Sequence, residues 1–429
     1  MKKTALFKSL LTIILGVSML TGCDLFSSTS VSSLVSSEST TSSTTYNLCS
    51  GYRQATSGLS TSTSSSKVNF ARNILDATGV IEEVKESTFL ITACYVVDEE
   101  EYEYITSGFV YDKSETLNED GSTTYYAITN ASGITHRELN VSATESATTY
   151  TSDDITTYTD GVFELAFEDG SRFEGNYVAQ YAALDIAIFS FNSFVDIPLV
   201  TLGSSDQLSE GEQVYAIGTP LEGYSLINTV VQGVVSGLHR RQFVYHNSSI
   251  GSASYSIQIA DYPVFQFDAP TNFGMEGGPV INRDGEVIGI TSYKYYDSSS
   301  SYESLSLAIA IDDAKNVIDN LIDSETYTRP MMGVSVYDMT SLISYPTWYE
   351  TYHITNGIVI SEVSTGTPSA TAGMVVGEVI RSITNNTVTY DITNLSCLSS
   401  QLLRCNLGDS IIVTTINSSG TLTNYTLAF

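Results

Sequence analysis

Cations are scarce in this chain: its 429 residues hold 18 Lys and Arg against 48 Asp and Glu, a net charge of −30 with His neutral. Such a surface repels nucleic acid and anionic lipid headgroups, which bind proteins through lysine and arginine contacts to phosphate. Metal and disulfide chemistry are equally thin. The five cysteines (Cys23, Cys49, Cys94, Cys397, Cys405) and the four histidines, at 136, 239, 246 and 353, show no Cys/His ligand spacing and no disulfide framework. Cys397 and Cys405 fall eight residues apart on one predicted helix, roughly 12 Å at ~1.5 Å rise per residue, beyond disulfide reach. No metal or cofactor is expected.

Long apolar runs are missing too. The stretch from Leu10 to Leu20 is too short to span a bilayer comfortably as a mature helix. It comes after Met1-Lys2-Lys3 and precedes Leu20-Thr21-Gly22-Cys23, so residues 1–22 read as an export signal. Leu-Thr-Gly-Cys resembles a bacterial lipobox, which implies a diacylated Cys23 and a lipid anchor in the bilayer at the extracytoplasmic face of the cell membrane. Removing residues 1–22 takes away three lysines and leaves 48 acids against 15 bases, a net of about −33, so the lipid must do the membrane work.

Beyond the lipobox, shifts in composition divide the chain. Residues 23–66 are dominated by Ser and Thr, cannot bury a core and are expected to be a disordered tether. From about Lys67 a short predicted helix, Asn69–Leu75, leads into many short apolar strands with turn signals between them. They include Thr88–Val97, Tyr125–Thr129, Ile186–Phe191, Thr229–Val235, Val264–Phe267 and Glu286–Thr291, a pattern that argues for antiparallel barrels or sandwiches. The polar Thr135–Asp160 stretch reads as an elaborated surface loop. Asp312–Leu321 has apolar residues at Ala314, Val317, Ile318 and Leu321, the spacing of one helix face. A boundary at Arg329-Pro330 separates a second module of strands with one helix, Thr393–Arg404. The predicted units are residues 67–326 and 327–429.

Six motifs follow one another along the chain: Ser107-Gly108-Phe109-Val110-Tyr111, Ala127-Ile128-Thr129-Asn130, Leu184-Asp185-Ile186-Ala187, Ala216-Ile217-Gly218-Thr219-Pro220, Thr229 to Ser236, and Gly274 to Val280. Taken in that order, they resemble the HtrA/Deg family of trypsin-like proteases followed by a PDZ domain. The resemblance implies a mainly β fold: a chymotrypsin/trypsin-like double β-barrel with a small α+β PDZ domain after it. It also places the family's catalytic triad at Ser132, Asp185 and Glu276. The general base position is therefore Ser132, the nucleophile position is a carboxylate, and only the orienting acid matches. A serine attacks only when a neighbouring base takes its proton, so these replacements predict an inactive site, a pseudoprotease. The loop Gly274-Met275-Glu276-Gly277-Gly278-Pro279 keeps the glycine frame whose backbone N–H groups, at Gly274 and Glu276, would form an oxyanion hole. The Glu276 carboxylate either occupies that anion spot or lies exposed on a relaxed loop. A rescued chemistry through Glu276, or through His136 if Ser132 to His136 is helical, stays open.

Arg329-Pro330-Met331-Met332-Gly333-Val334 resembles the carboxylate-binding loop of an HtrA-type PDZ domain, and Gly366, Pro368-Ser369-Ala370, Ala372-Gly373-Met374 and Gly377-Glu378-Val379-Ile380 match its spacing. A PDZ groove binds an extended peptide as an added strand and captures its C-terminal carboxylate. Met331, Met332, Gly333 and Val334 are the peptide-binding candidates, closed by the Leu402 side of the helix. The resemblance thus implies a membrane-anchored pseudoprotease that binds peptide C-termini or unfolded protein segments in protein quality control. The alternatives are an endopeptidase using non-standard residues and a surface interaction or adhesion scaffold. Family members commonly assemble as trimers; the altered loops here leave the homo-oligomer open.

Overall fold

The computed structural model describes residues 77–139, 151, 155–220, 223–250, 253–292, 304–339 and 354–429. The export signal, Cys23, the Ser/Thr-rich stretch and the predicted Asn69–Leu75 helix lie outside them. Within the described residues, two barrels and a C-terminal module succeed one another. No helix among them is long and apolar enough to cross a membrane.

Helix α1 (Thr78–Lys85) packs Val80 and Val84 inward and leads into the first barrel. Its strands are β1 (Thr88–Val97), β2 (Glu100–Lys113), β3 (Thr123–Asn130), β6 (Val162–Phe167), β7 (Arg172–Tyr181) and β8 (Ile186–Ser193). They close in the order β1-β2-β3-β8-β7-β6. Closure leaves no free edge. The interior is aromatic: Phe89, Phe163, Phe189 and Phe191 are buried, and the Phe163 and Phe189 rings meet edge to face at 4.7 Å. Each such ring contributes on the order of 2–3 kcal/mol of burial. Between β3 and β6 sit the short helix α2 (Ala131–Ile134) and a two-stranded pair, β4 (His136–Leu139) with β5 (Ile155–Tyr158). The polar stretch expected to be loop therefore contains paired strands.

The second barrel comprises β9 (Thr201–Leu202), β10 (Gln213–Gly218), β11 (Thr229–Ile250), β12 (Ala253–Phe267), β13 (Pro279–Ile281), β14 (Glu286–Thr291) and β15 (Ser306–Ala310). Its order is β13-β10-β11-β12-β15-β14-β9, with β13 also paired to β14. The hairpin β11–β12 is far longer than the apolar runs predicted. Strand pairing continues through the polar Arg240–His246 segment, with register shifts at Gly237, Arg240 and Tyr245. Helix α3 (Ile311–Ser324) buries Ile311, Ala314, Val317, Ile318 and Leu321 along one face. It ends where Glu325 turns left-handed and donates its N–H to the Leu321 carbonyl, 3.1 Å.

The C-terminal module is PDZ-like. Strands β16 (Val334–Asp338), β17 (Ile358–Val363), β18 (Val379–Asn385), β20 (Ser410–Ile416) and β21 (Leu422–Ala428) form one sheet, with β19 (Val388–Asp391) paired to β18. Helix α4 (Pro368–Ala372) is capped by Thr367, and α5 (Leu395–Leu403) by Asn394, whose Oδ1 accepts from the Cys397 N–H at 3.0 Å. Cys405 lies past the end of α5 instead of sharing that helix with Cys397; both are free thiols. Polar clamps dock this module: Arg404 reaches Asp313 and Asp206, and Tyr327 donates to the Leu403 carbonyl at 3.0 Å.

Candidate functional site

The two barrels meet along a shared apolar cluster that includes Phe109, Ile128, Ile186, Ile217, Tyr262 and Ile290. The candidate residues sit in this seam. Asp185 ends a 3-10 turn in the left-handed conformation, φ 58°, and is buried. Its backbone carbonyl accepts from Ala131 N–H (3.1 Å) and Asn130 Nδ2 (2.9 Å). Its carboxylate accepts from Ser132 twice, the N–H at 2.6 Å and Oγ at 2.7 Å. Two of the three positions that the resemblance assigns to a triad are thus brought together, and the acid satisfies the first turn of α2, whose N–H groups have no helical partner.

A third donor completes the arrangement. Tyr262 Oη donates to Asp185 Oδ2 at 3.2 Å and also meets Ser292 Oγ at 2.9 Å. Burial pushes the Asp185 carboxyl above its ordinary range, and the Ser132 hydrogen bonds and the Arg137 charge pull it partly back. Burial likewise lowers Arg137, which Asp185 partly restores. Neither Tyr262 nor Arg137 emerged from sequence reasoning. They lie 77 and 48 positions from Asp185, and the one signal was a tyrosine set among the apolar residues of β12.

His136 does not join this group through the helix. The helical run stops at Ile134, and His136 opens β4. Its ring is held by Tyr104 Oη at Nδ1 (2.8 Å) and Glu138 at Nε2 (3.2 Å), with the Tyr102 ring centroid 4.0 Å away.

The third triad position behaves differently. Glu276 is buried, and its Oε2 accepts from the Gly274 N–H of the same loop at 2.6 Å. The loop around it is pinned. Ser107 N–H and Thr106 Oγ1 donate to the Glu276 carbonyl, at 3.0 and 2.6 Å, and Ser107 Oγ donates to the Gly274 carbonyl at 2.6 Å. Gly277 has φ 79°, and a Cβ there would lie 2.3 Å from the Ser107 carbonyl oxygen, so only glycine fits. The loop turns through positive φ at Gly274 and Gly277, and the glutamate takes up the Gly274 N–H. A charged acceptor on a backbone N–H is among the stronger single hydrogen bonds available.

A second concave feature belongs to the C-terminal module. A cavity of about 420 Å³ is lined by Met331, Met332, Gly333 and Val334 on one side and Leu398, Ser399 and Leu402 of α5 on the other. Met331 is exposed, whereas Met332 is buried in the module's core. Gly333 has φ 80°, and a Cβ on it would overlap Thr367 at 2.2 Å. The long hairpin contributes Arg241, Asp261, Tyr262 and Pro263 to the wall, with Arg241 and Asp261 forming an ion pair. The tyrosine that touches Asp185 therefore also borders this groove. Among the described residues there is no His/Cys/Asp/Glu group that could hold a metal ion.

Comparisons with known proteins agree with this geometry. The trypsin-like peptidase domain family matches residues 77–290. The serine protease Do-like HtrA of Lactococcus lactis subsp. cremoris is 29% identical over 261 residues, covering 58% of this chain and 60% of that protein. Its namesake in Bacillus subtilis is 31% identical over 224 residues, covering 51% of this chain and 46% of its own. The chain thus spans about half to three fifths of the length of these curated relatives. Among solved structures, the HtrA-type protease AlgW with a tripeptide superposes with a TM-score of 0.52 at 20% identity, over 82% of this chain and 96% of that one, and so shares the fold. By sequence, residues 77–290 belong to the trypsin-like peptidase domain family, and the similarity to HtrA proteases supports the HtrA/Deg branch of it.

Proposed function

We propose that this protein is a non-cleaving member of its family, which holds peptide C-termini or unfolded segments in the groove of its PDZ-like module at the outer face of the cell membrane. The observation that carries the first half is the Glu276–Gly274 contact. Serine-type hydrolysis needs an alcohol at the nucleophile position, an imidazole to deprotonate it and free N–H donors for the oxyanion. Here the first is a carboxylate, the second is a serine held by Asp185, and one of the donors is already engaged. Loss of triad members alone lowers such rates by on the order of 10⁴ to 10⁶.

The second half rests on the groove. Its loop carries the left-handed Gly333, and α5 supplies an apolar wall, features that support strand addition of a peptide there. A structure of the same fold, AlgW, was solved with a decapeptide. Membrane attachment rests on the Leu20-Thr21-Gly22-Cys23 motif alone, and one relative carries the name of a probable periplasmic endoprotease. The clients would be polypeptides, not nucleic acid, given the net charge of −30.

The test is one preparation assayed twice, for casein hydrolysis and for binding of fluorescent peptides with free C-terminal carboxylates. The expected result is no hydrolysis, together with binding that is lost in Gly333→Val and in the groove-wall variant Leu402→Lys, each checked for native folding. Hydrolysis abolished by Glu276→Ala would overturn the reading in favour of a working endopeptidase. Absence of both activities would leave the interaction scaffold.

A further inference from the structure

Where the second barrel meets the C-terminal module, a second cavity, of about 290 Å³, is lined by His239, Asp206, Asp313, Tyr390, Cys397 and Arg404. Cys397 is 5% exposed, near the start of α5, its Sγ lies 3.3 Å from Thr393 Oγ1, and it shares the lining of the cavity with His239. His239 comes from the other side of the seam. It occupies the irregular stretch of β11 between Gly237 and Arg240, with φ 53°.

The two partners are held to one another by their backbones. Asn394 accepts from the Cys397 N–H through Oδ1 at 3.0 Å, and its Nδ2 donates to the His239 carbonyl at 3.1 Å. Ser396 Oγ adds a bond to the Arg240 carbonyl at 2.7 Å. A thiol and an imidazole 158 positions apart in the chain are thus brought to the wall of one cavity.

We propose that Cys397 and His239 form a thiol–imidazole pair that reacts with low-molecular-weight disulfides, making the seam a redox-modification site. In the exchange, the Cys397 Sγ thiolate attacks one sulfur of a disulfide R–S–S–R. The new Cys397 S–S bond forms as the old S–S bond breaks, and the leaving thiolate takes the proton from the His239 imidazolium and departs as R–SH. The Cys397 sulfur is oxidised, the departing sulfur is reduced, and no further reagent is needed. The nucleophile is a thiolate, so its ease of formation decides the rate.

The surroundings favour that form. Burial pushes the Cys397 thiol up, but the His239 and Thr393 hydrogen bonds more than offset it, and the thiol lies below its ordinary range. The Cys397 contact raises His239 against its own burial, with Asp313 and Asp206 adding to the effect. The Arg404 guanidinium at the same wall is already bound to Asp206 and Asp313. Cys405, eight residues on, is the contrast. Its Sγ donates to the Gln401 carbonyl at 3.2 Å, and burial, with Asp409, pushes it up to about 11.

The experiment incubates the folded full chain with cystamine at neutral pH, quenches with acid and maps the adducts by peptide mass. Cys397 should be modified at least about tenfold faster than Cys405 and Cys94, and His239→Gln should slow Cys397 by about tenfold while leaving its rate in the denatured chain unchanged. Modification of Cys397 no faster than of Cys405, or an undiminished rate in a folded His239→Gln protein, overturns the proposal. Should His239→Gln fail to fold, the Cys397-to-Cys405 ratio in the unaltered protein decides.

Discussion

The Gly274 N–H donates to Glu276 Oε2 at 2.6 Å, so this glycine-rich loop binds its own side chain. The carboxylate and the glycine are two residues apart, and both are held by the Ser107 strand behind them. If that bond stabilises the loop, Glu276→Gln, which keeps the shape and removes the charge, should lower the unfolding free energy by about 1–2 kcal/mol in urea titration. Unchanged stability would mean the contact contributes nothing measurable.

Restoring chemistry needs both positions at once. Ser132→His places an imidazole beside Asp185, and Glu276→Ser supplies the hydroxyl and releases the Gly274 donor. Casein hydrolysis is expected from the double variant and from neither single one, because a nucleophile without a base, or a base without a nucleophile, fails alike. A double variant that folds and stays inert would show that the seam has drifted from a catalytic geometry.

Asp185 sets a pH dependence whose sign can be worked out. Its carboxyl is raised in the folded protein by burial, so the native state holds a proton that the unfolded chain has already lost near pH ~3.9. The stability from this group is complete below that unfolded value and falls as pH rises through the folded one. Asp185→Asn lacks that slope. Comparing melting temperatures of the two proteins across the acid range, the advantage of the native aspartate should shrink as pH increases; an advantage that grows would reverse the assignment.

Arg404 binds Asp206 with both terminal nitrogens at 2.7 Å and Asp313 through Nε at 2.8 Å, and Ser400 Oγ also donates to Asp313 at 2.7 Å. Arg404→Met should cost about 3–5 kcal/mol, since it strands the buried Asp313 carboxylate. Adding Asp313→Leu should recover most of that loss, because breaking a buried pair costs more than deleting it. Denaturant midpoints of the single and double variants decide between this and a purely peripheral clamp.

Legibility from sequence tracked the length scale of each feature. The apolar runs of β1, β8 and β14 were visible because their residues face packed cores. The polar half of the β11–β12 hairpin was not, since cross-strand pairing holds it where no apolar pattern marks it. The β4–β5 pair was masked in the same way by its Thr-rich setting. The glycines at 274, 277 and 333 announced tight turns, and each has a positive φ.

By itself, the sequence determined which side chains are available: a carboxylate at 276 and a serine at 132, where the resemblance leads one to expect a hydroxyl and an imidazole, and a glycine frame around the former. Side-chain identity is local and needs no fold to read. Tertiary structure alone decided who meets whom. Tyr262 reaches Asp185, Glu276 turns back onto Gly274, and His239 shares a cavity with Cys397. Those contacts depend on strand register and module docking, which distribute their free energy over many residues and leave no mark in any short stretch of chain.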